Sequence, residues 1–235
     1  MNLNQNKVEL KLDWCSHQAA KYAVEHWHYS KSLPPPPHNR IGVWEQNKYI
    51  GCVLFSRGAT GNLGKPYGLL QTQCCELTRV ALQSHKTPVS RIISIALLFL
   101  KKQCPGIVLV ISFADPNQGH HGGIYQSGGW VYSGKTEPSV QYISPDNKIW
   151  HPRMIKKQGF TTCYGIKRKT LTPSECVKIA QCGKHRYLKP LNSEMRKQIE
   201  PLRKPYPKKC ATSIENDAAG FQPEKGGVIP TVALQ

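Results

Sequence analysis

Apolar and polar residues alternate with period two over Val8-Glu9-Leu10-Lys11-Leu12 and then recur at helical spacing at Ala19, Ala20, Ala23, Val24 and Trp27. This predicts a strand followed by a helix, with Asp13 and Ser16 available as caps. The helix closes in His26-Trp27-His28-Tyr29, and Pro34 to Pro37 forbid regular helix beyond it and stiffen an extended loop. Two apolar runs, Ile41–Glu45 and Tyr49–Phe55, flank the polar Gln46-Asn47-Lys48 and predict a hairpin. A glycine-rich loop spans Gly58 to Gly68. Cys75–Leu82 then reads as a third long strand, where strict alternation sets Glu76 and Thr78 opposite Leu77 and puts Arg79 on the face of Leu77.

Pro88 and Ser90 introduce a helix that is apolar nearly all round, ends in Lys101 and Lys102 at its negative pole and stops near Gly106. Ile107–Phe113 is the unbroken β-branched run of a strand covered on both faces. A short helix around Gly123–Gln126, the Gly128-Gly129 turn and a strand from Trp130 follow. Strand, helix, hairpin, strand, helix, strand, helix, strand is the order of an α/β domain, a mixed central sheet flanked by helices. The pattern weakens near residue 150. The expected organisation is a catalytic domain over 1–150, a basic extension over 151–210 and a tail over 211–235 with no recurring apolar face.

Charge changes the picture. Lysine and arginine number 32 against 14 acidic residues, a formal net charge of +18 that points to a polyanionic partner. A membrane surface is not expected: the longest apolar run, Ile92 to Leu100, is about half of what crossing a bilayer needs. Nucleic acid fits better. Lys156, Lys157, Lys167, Arg168 and Lys169, then Lys184, His185, Arg186 and Tyr187, then Arg203 and Lys204, are the expected DNA contacts, because basic residues interleaved with aromatics suit phosphate tracking. The polar opening Met1–Asn6 is no secretory leader, and the nine cysteines follow no small-domain disulfide pattern, so the bacterial cytoplasm is the expected compartment.

Three features converge on one expected cleft. The helix start at Ser90-Arg91 offers free amide groups to an anion, Asp115 ends the central strand beside it, and Tyr125 follows a short distance on. The ordering Glu76-Leu77-Thr78-Arg79-Val80, loop, apolar helix, strand and Ile124-Tyr125-Gln126-Ser127-Gly128-Gly129-Trp130 resembles the GNAT acyltransferase superfamily. More specifically, the chain resembles the bacteriophage Mom DNA-modification family. The likeness is carried by Trp27-His28-Tyr29-Ser30, Cys75–Ala81, Ser90-Arg91-Ile92-Ile93, Ser112-Phe113-Ala114-Asp115-Pro116, His120–Gln126 and Lys184-His185-Arg186-Tyr187, which together span nearly residues 1 to 210.

The resemblance implies a GNAT-like fold and conversion of adenine in phage DNA to N6-carbamoylmethyladenine, which shields the genome from host restriction. It implies an acyl-CoA-type donor, with Arg79, Ser90 and Arg91 as its anchors. It further implies catalysis by His28, Tyr29, Asp115 and Tyr125, with Tyr125 the acid facing a thiol leaving group. Iron is also implied, with His28, Asp115 and His120 as candidate ligands. One departure stands out: the superfamily's Gln/Arg-x-x-Gly-x-Gly pyrophosphate loop is replaced by Ser84-His85-Lys86-Thr87-Pro88-Val89-Ser90. N6 in a duplex is engaged in pairing, so the base must be flipped or presented in a single strand, with Tyr29, Trp27, Trp44 and Trp130 as candidate stacking surfaces. Two other classes fit the same residues: a conventional acetyl-CoA-dependent N-acetyltransferase, and a non-catalytic DNA-binding protein on the same fold.

Overall fold

A computed structural model describes residues 8–150, 152–163 and 165–208; the expected tail over 211–235 lies outside them. The chain runs β1 (Leu10–Trp14), α1 (His17–Trp27), β2 (His38–Glu45), β3 (Lys48–Ser56), β4 (Cys74–Leu82), α2 (Val89–Gln103), β5 (Leu109–Ala114), α3 (Gly123–Ser127) and β6 (Val131–Lys135). There follow β7 (Ser139–Ile143), β8 (Ile149–Trp150), β9 (Phe160–Cys163), β10 (Ile166–Lys169), β11 (Val177–Gln181), β12 (His185–Pro190) and α4 (Ser193–Ile199). Up to β6 this is the order the hydropathy pattern gives.

The local signals act as chemistry requires. The Ser16 hydroxyl accepts the Ala19 amide hydrogen at 3.1 Å and caps α1. Gln46 and Asn47 turn the β2–β3 hairpin with φ of 51° and 60°, a left-handed pair whose twist matches that of the strands. In α2, Ile92, Ile93, Ala96, Leu97 and Leu100 are buried. Each of the larger side chains contributes about 1.5–3 kcal/mol on leaving water.

The main sheet has the strand order β1-β2-β3-β4-β5-β12-β6. It is antiparallel throughout except where β4 runs parallel to β5. One face, carrying Val53, Phe55, Leu77 and Val110, packs on α2 and α3. The other is covered in two halves: α1 lies on Cys52, Leu54 and Ala81, and α4 on Leu109, Ile111, Val131 and Leu188. This is the expected α/β architecture, a mixed sheet flanked by helices.

Two details of the sheet make the site. Pairing between β4 and β5 is confined to Cys74–Glu76 against Leu109–Ile111, although the strands run on to Leu82 and Ala114. Beyond those three residues the strands part and open a gap in the middle of the sheet. A β-bulge then sits at the start of the gap, because Leu54 pairs with Arg79 while Phe55 pairs with Leu77, leaving Thr78 as an extra residue. Partners across a sheet share a face, so Arg79 joins Glu76 on the Leu54 face, opposite Leu77. The expectation that Arg79 shares the face of Leu77 fails on this inserted residue.

The segment after 150 is not set apart either. Residues 152–181 contribute the β9–β10 hairpin and, with β7 and β8, a three-stranded sheet of order β11-β7-β8. The chain then returns as β12 to the middle of the main sheet, where Tyr187 and Leu188 are fully buried. The boundary expected at 150 is therefore not a boundary of the sheet.

Candidate active site

The gap between β4 and β5 opens into a cleft of about 740 Å³. Its walls come from the end of α1 and the loop after it (Trp27, His28, Tyr29, Lys31), from β4 (Glu76 to Val80), from the β5 end (Phe113, Ala114), from the stretch His120–Tyr125, and from Val89 and Lys184. Three of the four expected catalytic residues, His28, Tyr29 and Tyr125, line it together with the expected anchor Arg79 and with His120, and Tyr29 stands at its wall with half its surface exposed.

Tyr125 is positioned from beneath. The Ser112 hydroxyl lies 2.8 Å from its phenol oxygen and 2.9 Å from the Leu77 carbonyl oxygen across the gap. Ser112 has one proton for two acceptors. When it donates to Tyr125, the phenol keeps its own proton free to give into the cleft. Burial raises the Tyr125 phenol, Ser112 pulls it back, and the neighbouring Tyr29, Glu76 and Tyr187 add to the rise, leaving it pushed up to about 12. It therefore stays protonated at neutral pH, as an acid must. Behind it Trp130 and Tyr187 pack at a tilt, with ring centroids 5.0 and 5.1 Å away. Gly122 permits this packing: its φ is +89°, and a Cβ there would meet the Tyr187 ring at 2.3–2.6 Å.

His28 is held in one state. The Ser30 amide hydrogen is donated to Nδ1 at 3.1 Å, and the Ser30 hydroxyl is 2.8 Å from the same atom. Nδ1 is then an acceptor, so the neutral ring carries its proton on Nε2, a tautomer assigned from this pattern. Burial, with the charges of Arg79, His120 and Lys31, depresses the imidazole to about 3. At neutral pH His28 is an uncharged N–H donor and a weak base. Arg79 reaches back to the Ser32 carbonyl at 3.3 Å and the Thr78 carbonyl at 2.8 Å, tying the loop after α1 to β4. The Tyr29 ring lies 4.4 Å from His28 and 5.5 Å, edge-on, from His120.

Asp115 is placed differently from expectation. It stands behind the cleft wall, with Lys184 Nζ at 2.9 Å and the Asn117 amide and side-chain nitrogens at 3.0 and 2.9 Å. Burial works to raise its carboxyl, but the hydrogen bonds from Lys184 and Asn117 win and hold it below the usual carboxylate range. Asp115 thus orients Lys184, which does line the cleft. The helix start expected at Ser90-Arg91 lies slightly earlier: α2 begins at Val89 with Pro88 at the N-cap position and no capping side chain. Val89 reaches the cleft, whereas Ser90 and Arg91 are not among its lining residues and Arg91 is exposed. The loop leading into α2 is fixed instead by Glu45, whose buried carboxylate accepts the Lys86 and Thr87 amide hydrogens at 2.9 and 2.8 Å and the Thr87 hydroxyl at 2.6 Å.

The expected DNA contacts divide in two. Lys157, Lys167, Arg168 and Lys169 are exposed on and beside the β9–β10 hairpin, with the Lys167 ammonium 3.8 Å from the Phe160 ring centroid and Lys156 half-buried nearby. Lys204 is exposed, and the Arg203 guanidinium is engaged by Glu200. His185 and Tyr187, by contrast, point into the core: the Tyr187 hydroxyl donates to the His121 carbonyl and His185 Nδ1 lies 3.0 Å from the Tyr132 hydroxyl. They cannot touch a nucleic acid, because β12 is an interior strand rather than part of a surface extension. Arg186 is half-buried, its Nε donating to the Ser133 hydroxyl at 3.1 Å.

Nor do the residues fit iron. Among the described residues no group of three His, Cys, Asp or Glu side chains gathers as a metal site. Of the expected ligands His28, Asp115 and His120, the first has Nδ1 occupied by Ser30 and the second is engaged by Lys184 and Asn117. No helix of the described residues is long and apolar enough to cross a membrane.

Sequence reasoning passes over Glu76 and Ser112 as site residues. Ser112 is visible only as the one hydroxyl in an otherwise apolar central strand, and Glu76 as a carboxylate on a strand that ends in the same cleft.

The family model of the Mom protein family matches residues 9–208. This chain belongs to the Mom protein family. No curated protein sequence matches it. Among solved structures, this Mom-family chain is similar to FeeM, an N-acyl amino acid synthase from uncultured soil microbes, at 10% identity and a TM-score of 0.45, over 83% of this chain and 96% of that one. It is also similar to a Bacillus subtilis acetyltransferase in complex with CoA, at 12% identity and a TM-score of 0.39, over 79% of this chain and all of the other.

Proposed function

We propose that this Mom-family chain is a DNA-modifying transferase that converts adenine to N6-carbamoylmethyladenine and so guards a phage genome against host restriction. The observation that carries the reading is the cleft itself: a half-exposed tyrosine, Tyr29, beside a buried phenol, Tyr125, kept protonated by its surroundings. An extruded purine stacks on the exposed ring, as bases taken out of a helix do on aromatic side chains. Tyr125 then hands its proton to a departing thiol, and the Nε2–H of neutral His28 serves as a fixed donor to the reacting groups.

The donor is of the acyl-CoA type, with Val89 and the amides of the α2 start supplying the nearest positive pole. Transfer from acetyl-CoA alone would make an amide at N6, whereas a carbamoylmethyl group joins N6 to a methylene carbon and carries an amide nitrogen, so the reading requires a nitrogen-bearing acyl donor and a further rearranging step after the transfer. The exposed β9–β10 hairpin, with Lys157, Lys167, Arg168 and Lys169, holds phosphates. Iron takes no part in this account.

Expression with plasmid DNA, digestion to nucleosides and mass spectrometry test the reading. The expected result is a new deoxyadenosine carrying the carbamoylmethyl mass. Unaltered nucleosides together with acetyl-CoA turnover on a small amine would replace it by a conventional N-acetyltransferase.

A further inference from the structure

We infer that Glu76 is the base of this site, the group that takes the proton from the attacking amine. The inference rests on the transferase reading but not on the identity of the acceptor. Glu76 is the acidic residue among those lining the cleft, on the same β4 face as Arg79 because of the bulge at Thr78. The other candidates are spoken for: Asp115 lies behind the wall, gripped by Lys184, and His28 presents Nε2–H rather than a lone pair.

The carboxylate is also shaped from above. The Ala59 amide hydrogen bonds to it, and Gly58, at φ +80°, lies so close that a Cβ there would stand 2.9 Å from Glu76 Oε2. The glycine-rich loop thus roofs the carboxylate with backbone. Charged and titratable neighbours face it from every side: Arg79 on its own strand, Lys184 from the start of β12, Tyr125 from α3, and Cys75 beside it. Burial raises the Glu76 carboxyl, while Arg79 and Lys184 pull it part of the way back. A carboxylate made more basic in this way is the partner a poor nitrogen nucleophile requires.

The step balances within the cleft. As the amine nitrogen bonds to the donor's reacting carbon, its N–H bond breaks and the proton passes to a Glu76 oxygen. The bond between that same carbon and the sulfur of the thioester donor breaks with both electrons going to sulfur, which leaves as a thiol with the proton of Tyr125. Glu76 then releases its proton to water and the phenol is reprotonated.

Glu76→Gln is the decisive variant, because its amide oxygen still accepts from Ala59 while the basic site is gone. Its modification of DNA adenine is expected to fall about 10²–10⁴-fold, with DNA retention and melting temperature unchanged. The wild-type rate should climb with pH as Glu76 ionises, and the variant should lose that climb. Glu76→Asp, which keeps a carboxylate, should recover part of the rate. Ala59→Pro removes the amide hydrogen and serves as the control for a purely structural role. If Glu76→Gln stays within about twofold of wild type, or if Ala59→Pro matches its loss while the pH climb survives in Glu76→Gln, the inference is overturned. Should the wild type modify no base yet release thiol with a small amine, the DNA reading falls, and the same Gln-to-wild-type ratio in that assay still decides Glu76.

Discussion

The two halves of this molecule carry their polar groups in opposite ways. In the β4–β5 cleft, Tyr125, His28 and Glu76 are drawn out of water and their proton affinities move accordingly. On the β9–β10 hairpin, all four residues of β10 are exposed, and nearby Glu175 caps its own turn through Thr172. Chemistry at a nitrogen needs preorganised donors and acceptors that water does not damp, whereas grip on a phosphate backbone needs charges that counterions can leave. Under the proposed function, this +18 chain would keep reaction and retention apart in space.

Breaking the cleft should cost most. Tyr125→Phe keeps the ring packing against Trp130 and Tyr187 but removes the proton, so base modification should drop by about 10²–10³-fold while DNA retention in a gel-shift assay is unchanged. Next, Leu188→Ala cuts into the fully buried contact of β12 with α4 and should lower unfolding free energy by about 2–5 kcal/mol, read from urea melts. Gly122→Ala drives a Cβ into Tyr187 at a left-handed φ and should cost about 1–3 kcal/mol.

On the other side of the comparison, replacing Lys167, Arg168 and Lys169 together by Ala should weaken DNA binding and reduce the slope of log affinity against log salt by up to about 3. The turnover of bound DNA should stay intact. A last measurement separates the halves by pH. His28 is depressed from 6.5 to about 3 in the folded chain, so the unfolded chain binds the extra proton, and stability is lost as pH falls from 6.5 towards 3. Acid melts of His28→Gln should show a shallower loss over that window, and the triple hairpin variant should not.

Much of this was legible before any coordinates. The elements from β1 to β6 follow from local signals: the Ser16 cap, the Gln46-Asn47 turn, the apolar face of α2 and the β-branched run of β5. Of the three features expected to form the cleft, only Tyr125 lines it; His28, Tyr29, Arg79 and His120, named from the family likeness, are the others found there. What was not legible is non-local. A bulge is one residue of pairing mismatch between β3 and β4, and no periodicity within β4 reveals it. The place of β12 depends on pairing Leu188 with Ile111 and Val131, far away in sequence, so a basic stretch read locally as surface proved to be an interior strand. The start of α2 slipped by little, yet enough to take Ser90 and Arg91 off the cleft wall.

The late insertion of β12 carries a consequence for synthesis. Lys184 and Tyr187, which support the wall around Asp115 and Tyr125, emerge from the ribosome long after the residues they serve. A nascent chain that has reached only residue 180 has β5 and β6 with nothing between them, so it owns a nucleophile's pocket in outline but no finished floor. A fragment that ends there would expose the unpaired edges of β5 and β6 that β12 otherwise covers.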